Sequence, residues 1–161
     1  MTADASEGQP RATPAAAKQA LRHRLRAARA ERAPDAAADA RRTAHALQAS
    51  RGAGVVAGYV SRAEEPATRE LLDRLWRDGV RVLLPVLRTE PDWAWYAGPG
   101  TLVTGPRGIE HPDGPPLGAA ALGLAEVIWL PGLAGTPSGE RLGTRSEEHT
   151  SELQSHHDLV C

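Results

Sequence analysis

An arginine held between glycines, Gly139-Glu140-Arg141-Leu142-Gly143, follows closely on Leu130-Pro131-Gly132-Leu133-Ala134. Glycines let a backbone approach an anion and aim its N–H groups at it. A guanidinium adds a forked donor for phosphate or carboxylate. The same five residues also describe an ordinary turn. Lys18, Arg22, Arg26 and Arg29 recur at helical spacing and share one helix face. That face is either a solvated basic surface or, at Lys18 and Arg22, a clasp for a polyphosphate. Acids at Glu31, Asp35 and Asp39, and few aromatics for base stacking, argue against a nucleic-acid helix. Glu64 and Glu65 stand just before a helical pattern. They read either as loop charges that favour the helix N-terminus or as acceptors for a ligand. His23 and His45 have no partner at ligand spacing, and His149, His156 and His157 are poorly spaced for zinc, so no metal ligand is assigned.

These residues need a scaffold, and the hydrophobic pattern supplies one. Thr13-Pro14 opens a helix over 14–31 whose narrow apolar stripe is Leu21, Leu25 and Ala28. Pro34-Asp35 opens a second, to about 49, with Leu47 facing inward. Residues 55–60 form a nearly continuous apolar run, suited to a strand covered on both faces. The loop over 61–68 leaves that strand at its carboxyl end, where open α/β sheets place ligands. Thr68 is positioned to cap a helix over 69–78 that turns Leu71, Leu72, Leu75 and Trp76 to the sheet. Gly79 ends it, and 80–87 is the next strand, so the three elements make a right-handed crossover. Residues 92–96 alternate as an edge strand or a flap, with Trp93 and Trp95 either packing the core or stacking on a flat ligand. A turn-rich hairpin is expected over 98–105, a polar loop over 107–112, a connection over 115–123 and a strand over 126–130.

The chain has 161 residues, enough for one domain with a core. Hydrophobic residues make up 41% and charged residues 24%, as in ordinary globular proteins. Lys18 is the sole lysine among the 19 basic residues, so arginine-rich stretches carry less information here than a lone lysine does. The single cysteine is Cys161, which leaves no disulfide framework. No apolar run is long enough for a membrane span, and residues 1–12 read as a disordered leader without the apolar core of a signal peptide. The expected setting is cytoplasmic, with no membrane or nucleic-acid partner.

From Arg145 the text changes character. Arg145-Ser146-Glu147-Glu148-His149-Thr150-Ser151 is what AGA TCG GAA GAG CAC ACG TCT encodes, a string like the adapter ligated to fragments in short-read DNA sequencing. Residues 145–161 are therefore expected to be a translated artefact, disordered and outside the fold. The net charge of the chain is −1. Removing Arg145 and four acids (Glu147, Glu148, Glu152 and Asp158) from 19 basic and 20 acidic residues leaves 18 and 16, a net of +2. Neither value implies a polyanionic partner.

In order and spacing, Lys18-x-x-Leu21-Arg22, Tyr59-Val60-Ser61 with Glu65-x-x-Thr68, Val82-Leu83-Leu84-Pro85, Gly108-Ile109 with Pro112, Leu130-Pro131-Gly132-Leu133-Ala134 and Gly139-x-Arg141-Leu142-Gly143 resemble the 5-formyltetrahydrofolate cyclo-ligase family. The resemblance runs from about residue 17 to 143. It implies an α/β fold, a Rossmann-like three-layer sandwich with a mostly parallel sheet and helices on both faces, incomplete at the C-terminus, over 13–144. It implies ATP with Mg²⁺, a small-molecule folate substrate and a monomer. The implied reaction phosphorylates the formyl oxygen of 5-formyltetrahydrofolate. Nitrogen 10 then closes the ring to 5,10-methenyltetrahydrofolate and phosphate leaves, work that consists mainly of positioning and charge neutralisation. On the matching positions, Lys18, Arg22, Gly139, Arg141 and Gly143 would bind ATP, and Val60 and Glu65 would contact folate. His111 stands where the family has a glutamate, with Glu110 one place away, and Thr136 stands where an aspartate is common. The family's remaining Gly-rich run and its Mg²⁺-binding aspartate have no counterpart here, so the chain as written is expected to be inactive. A sugar-phosphate isomerase or CoA-transferase relative and a non-catalytic arginine-rich module are the alternatives.

Overall fold

The computed structural model describes residues 13–87 and 90–143. The leader expected over 1–12 and the adapter-like stretch expected over 145–161 lie outside the described residues. Helix α1 (Pro14–Ala30) starts where the sequence placed it, with the Thr13 hydroxyl accepting from Ala16 N–H at 3.3 Å and Pro14 at the first position. Helix α2 (Ala36–Ala49) is capped by Asp35, whose carboxylate accepts from Ala38 N–H at 2.8 Å. Strand β1 (Val55–Ala57), helix α3 (Arg69–Arg77) and strand β2 (Arg81–Leu87) form the crossover. Strand β3 (Pro91–Trp95) pairs antiparallel with β2, and β6 (Val127–Ile128) pairs parallel with β1. The sheet order is β3-β2-β1-β6. Two small hairpins complete the list, β4 (Leu102–Thr104) with β5 (Glu110–Pro112), and β7 (Ala134–Gly135) with β8 (Arg141–Leu142).

Alternation along the strands sorts the core into two layers. Val56, Val82 and Leu84 face α2 and α3, meeting Ala46, Leu71, Leu72 and Leu75. Ala57, Leu83 and Ile128 face the other way, onto a short 3-10 helix (Ala119–Leu124) that contributes Ala121. The sheet is thus covered on both sides by helical segments, as an apolar parallel run requires. Pro85 is tolerated in a central strand because β1 pairs with β2 only as far as Leu83. Beyond that point β2 has only β3 beside it, with Pro85 opposite Trp93.

Five expectations are corrected by the packing. The strand expected over 55–60 ends at Ala57, because the Tyr59 carbonyl accepts from the Thr68 hydroxyl at 2.7 Å instead of extending a ladder. Thr68 precedes α3 but makes no side-chain cap. Trp76 does not face the sheet; it is 41% exposed and its ring lies against Gly98. Ala28 of the α1 stripe is exposed while Arg29 is half-buried. The hairpin is not within 98–105: β4 pairs with Glu110–Pro112, which had read as polar loop. Trp93 and Trp95 do pack the second core layer, and the Arg81 guanidinium lies 3.8 Å from the centre of the Trp95 ring.

Candidate active site

Strands β1 and β6 are parallel neighbours, so the loops that leave them, 58–68 and 129–133, emerge at the same edge of the sheet. The first loop is tied at its mouth. Thr68 Oγ1 donates to Tyr59 O and accepts from Ser61 N–H at 3.0 Å, while Ser61 Oγ accepts from Thr68 N–H at 3.1 Å. Inside it, Glu65 N–H donates to Arg62 O at 3.0 Å and Arg62 N–H donates to the Glu65 carboxylate at 3.0 Å. This closes a turn that fixes the Glu65 side chain. Burial, reinforced by the nearby Glu65 carboxylate, pushes the Tyr59 phenol up to about 12.

That loop separates two cavities. Tyr59, Pro66 and Thr68 border one of about 640 Å³, walled opposite by Trp129, Leu130 and Arg141. Val60, Ser61 and Glu64 border the other, of about 460 Å³, with Ile109 and Glu110 across from them. Glu110 is held there by an ion pair to Arg69 at the start of α3. Neighbouring strand residues point to opposite sides. His111 therefore turns away and packs its ring on Gly105, with Nδ1 2.9 Å from Pro112 O.

Beyond β6, arginines converge on one short stretch of main chain. Arg29 donates to Gly132 O at 3.0 Å and to Leu133 O at 3.2 Å. Arg141 donates to Pro131 O at 2.9 Å, and Arg22 donates through Nε to Gly143 O at 3.2 Å. Gly139 takes a left-handed φ of +90° in the β7–β8 turn, where a side chain would be strained. Thr136 closes that turn, its hydroxyl accepting from Glu140 N–H at 3.1 Å.

The sequence-selected residues are thus partly assembled. Arg22, Gly139, Arg141 and Gly143 come together around β8, and Lys18 lies on the exposed side of α1 one turn before Arg22. Val60 lines the smaller cavity, whereas Glu65 sits on the turn beside it and lines neither. Arg29 had read only as one of four basic residues on a helix face. Its offset of seven from Arg22, two helical turns along the same face, was the available signal. The Ser61–Thr68 pairing and the role of Tyr59 carried no sequence signal beyond residue type.

Comparisons with known proteins give the family and the fold. Residues 14–146 match the model of the 5-formyltetrahydrofolate cyclo-ligase family. The chain belongs to this family. A curated 5-formyltetrahydrofolate cyclo-ligase from Mycolicibacterium smegmatis is 43% identical over 95 residues, covering 55% of this chain and 48% of that protein. The chain therefore spans about half the length of the curated relative it matches. The NMR structure of Aquifex aeolicus 5,10-methenyltetrahydrofolate synthetase aligns with a TM-score of 0.62 at 21% identity, over 78% of this chain and 66% of that one. That likeness establishes the fold: a cyclo-ligase-type α/β sandwich with a mostly parallel sheet.

Among the described residues no cluster of three or more His, Cys, Asp or Glu could hold a metal ion. Also among them, no helix is long and apolar enough to cross a membrane.

Proposed function

We propose that this cyclo-ligase domain serves the ATP-dependent cyclisation of 5-formyltetrahydrofolate to 5,10-methenyltetrahydrofolate, with release of ADP and phosphate, as a cytoplasmic monomer. The observation that carries the reading is one loop, 59–68, standing between two cavities, with Arg141 on one and Val60 on the other. A bisubstrate reaction needs adjacent sites for its two reactants. In this reading the smaller cavity takes the folate. Val60 packs against the pterin, and Glu65 accepts from its ring N–H groups. The larger cavity takes ATP, with Arg141, Arg22 and Lys18 neutralising phosphate charge. Arg22 and Arg141 each donate one guanidinium N–H to a main-chain carbonyl, and bonds from these groups to phosphate oxygens would pair charge with charge. Mg²⁺ would neutralise further phosphate charge, and no residue described here is assigned to it.

The test is calorimetric binding to the 161-residue chain. 5-Formyltetrahydrofolate is expected to bind, and Glu65→Gln to weaken it about tenfold through loss of a charged acceptor. A sugar phosphate and CoA are expected not to bind. Cyclisation, followed by appearance of the methenyl product, is expected to be undetectable in this chain. Binding of a sugar phosphate or CoA in place of the folate would overturn the assignment.

A further inference from the structure

Thr68 is 8% exposed, lies at the mouth of the 59–68 loop and uses its hydroxyl twice, as donor to Tyr59 O and acceptor from Ser61 N–H. Ser61 answers by accepting from Thr68 N–H. These three bonds close a seven-residue separation between Ser61 and Thr68 and leave the helix N-cap role unused. A threonine before a helix ordinarily spends its hydroxyl on the first-turn N–H groups. Here it is spent on the loop, which has no ladder partner of its own. The tie also holds the main chain at Tyr59, where the chain divides between the two cavities: Tyr59 borders the larger and Val60 the smaller. The Arg62–Glu65 turn is held out between them.

We propose that Thr68 is a positioning residue, whose hydroxyl latches the loop so that Val60 and Glu65 are presented to the folate in a single arrangement; this rests on the folate reading above. It acts through the main chain at 59 and 61 and touches no reacting atom. The latch does its work before ligand arrives, so losing it spreads the loop over several conformations. The ligand must then select one, and apparent affinity falls by the fraction still competent.

The latch has a reciprocal signature in amide hydrogen exchange of the full 161-residue chain. In Thr68→Val, which keeps the shape and removes the hydroxyl, the Ser61 amide should exchange about tenfold faster or more, while core amides such as Val82 keep their protection. In Ser61→Ala the Thr68 amide should respond instead. Thr68→Ser restores the hydroxyl and should restore slow exchange. 5-Formyltetrahydrofolate affinity should fall about tenfold in Thr68→Val and recover in Thr68→Ser. Unchanged Ser61 exchange in Thr68→Val overturns the latch, as does a serine variant that exchanges as fast as the valine one. Fast exchange with unaltered folate affinity overturns the positioning role. If the unaltered chain does not bind the folate, the functional reading fails, and the exchange comparison still decides the latch. Should Thr68→Val fail to fold, Thr68→Ala, which removes the same hydroxyl and both of its bonds, gives the same decision.

Discussion

Tyr59 and Tyr96 are the two tyrosines of the chain, and the fold holds both in the neutral form. Burial raises each, Glu65 adds to the effect at Tyr59, and Tyr96 donates its hydroxyl to the Asp73 carboxylate. Tyr59 moves from its usual 10.0 to about 12. A group whose folded pKa is raised contributes stability that is complete below the unfolded pKa and is lost as pH climbs through the folded one. The contribution of Tyr59 is therefore intact below pH 10 and disappears toward about pH 12. In a spectrophotometric titration the folded chain should produce no tyrosinate near pH 10, whereas the urea-unfolded chain ionises both tyrosines there. A folded-state step at pH 10 would contradict the burial of Tyr59 described here. None of this was visible in residue type, because a tyrosine at a strand end is as compatible with solvent as with a cavity wall. The site arginines were more legible. Their spacing put Arg22 and Arg29 on one face, and the carbonyls that face them, of Gly143 and Gly132, flank the β7–β8 hairpin more than 100 residues away.

At the scale of elements, helices were read more surely than hairpins. Thr13-Pro14, Asp35 and Gly79 act locally, within a turn of the boundary they set, and each boundary stands where it was expected. The β4–β5 hairpin is different. Glu110-His111-Pro112 has no β-branched residue, and its pairing depends on Leu102 opposite Pro112 and on the fit of His111 over Gly105. A methyl group on Gly105 would come within 2.4 Å of the His111 ring. Gly105→Ala is expected to cost about 1–3 kcal/mol in urea unfolding, the usual range for overpacking. His111→Ala in the same chain should recover most of that loss, a coupling a double-mutant cycle would measure. Additive costs would mean that His111 does not rest on Gly105. With His111 occupied against Gly105, Glu110 is the carboxylate that reaches the small cavity, where Arg69 holds it.

For the molecule as a whole, stability rests on a sheet packed on both sides by few elements. Leu84 is fully buried among Val82, Leu72 and their neighbours. Leu84→Ala is expected to destabilise by about 2–5 kcal/mol. That is a large share of the roughly 5–15 kcal/mol typical of a domain. Urea unfolding monitored by tryptophan fluorescence would check it, and a cost below about 1 kcal/mol would place Leu84 outside the load of the core. Helix α1, in contrast, buries no residue and is fastened by arginine hydrogen bonds to 132, 133 and 143. By itself the sequence determined the α/β class, the helix boundaries, the apolar strands and the cyclo-ligase likeness, because periodicity, caps and motif order are local properties of the chain. Only the tertiary structure decided that Thr68 latches a loop, that Trp76 lies outward on Gly98 and that Val60 and Tyr59 serve different cavities. Each of those outcomes depends on which distant group arrives to take a hydrogen bond or fill a space, and chain-local propensity carries no information about that arrival.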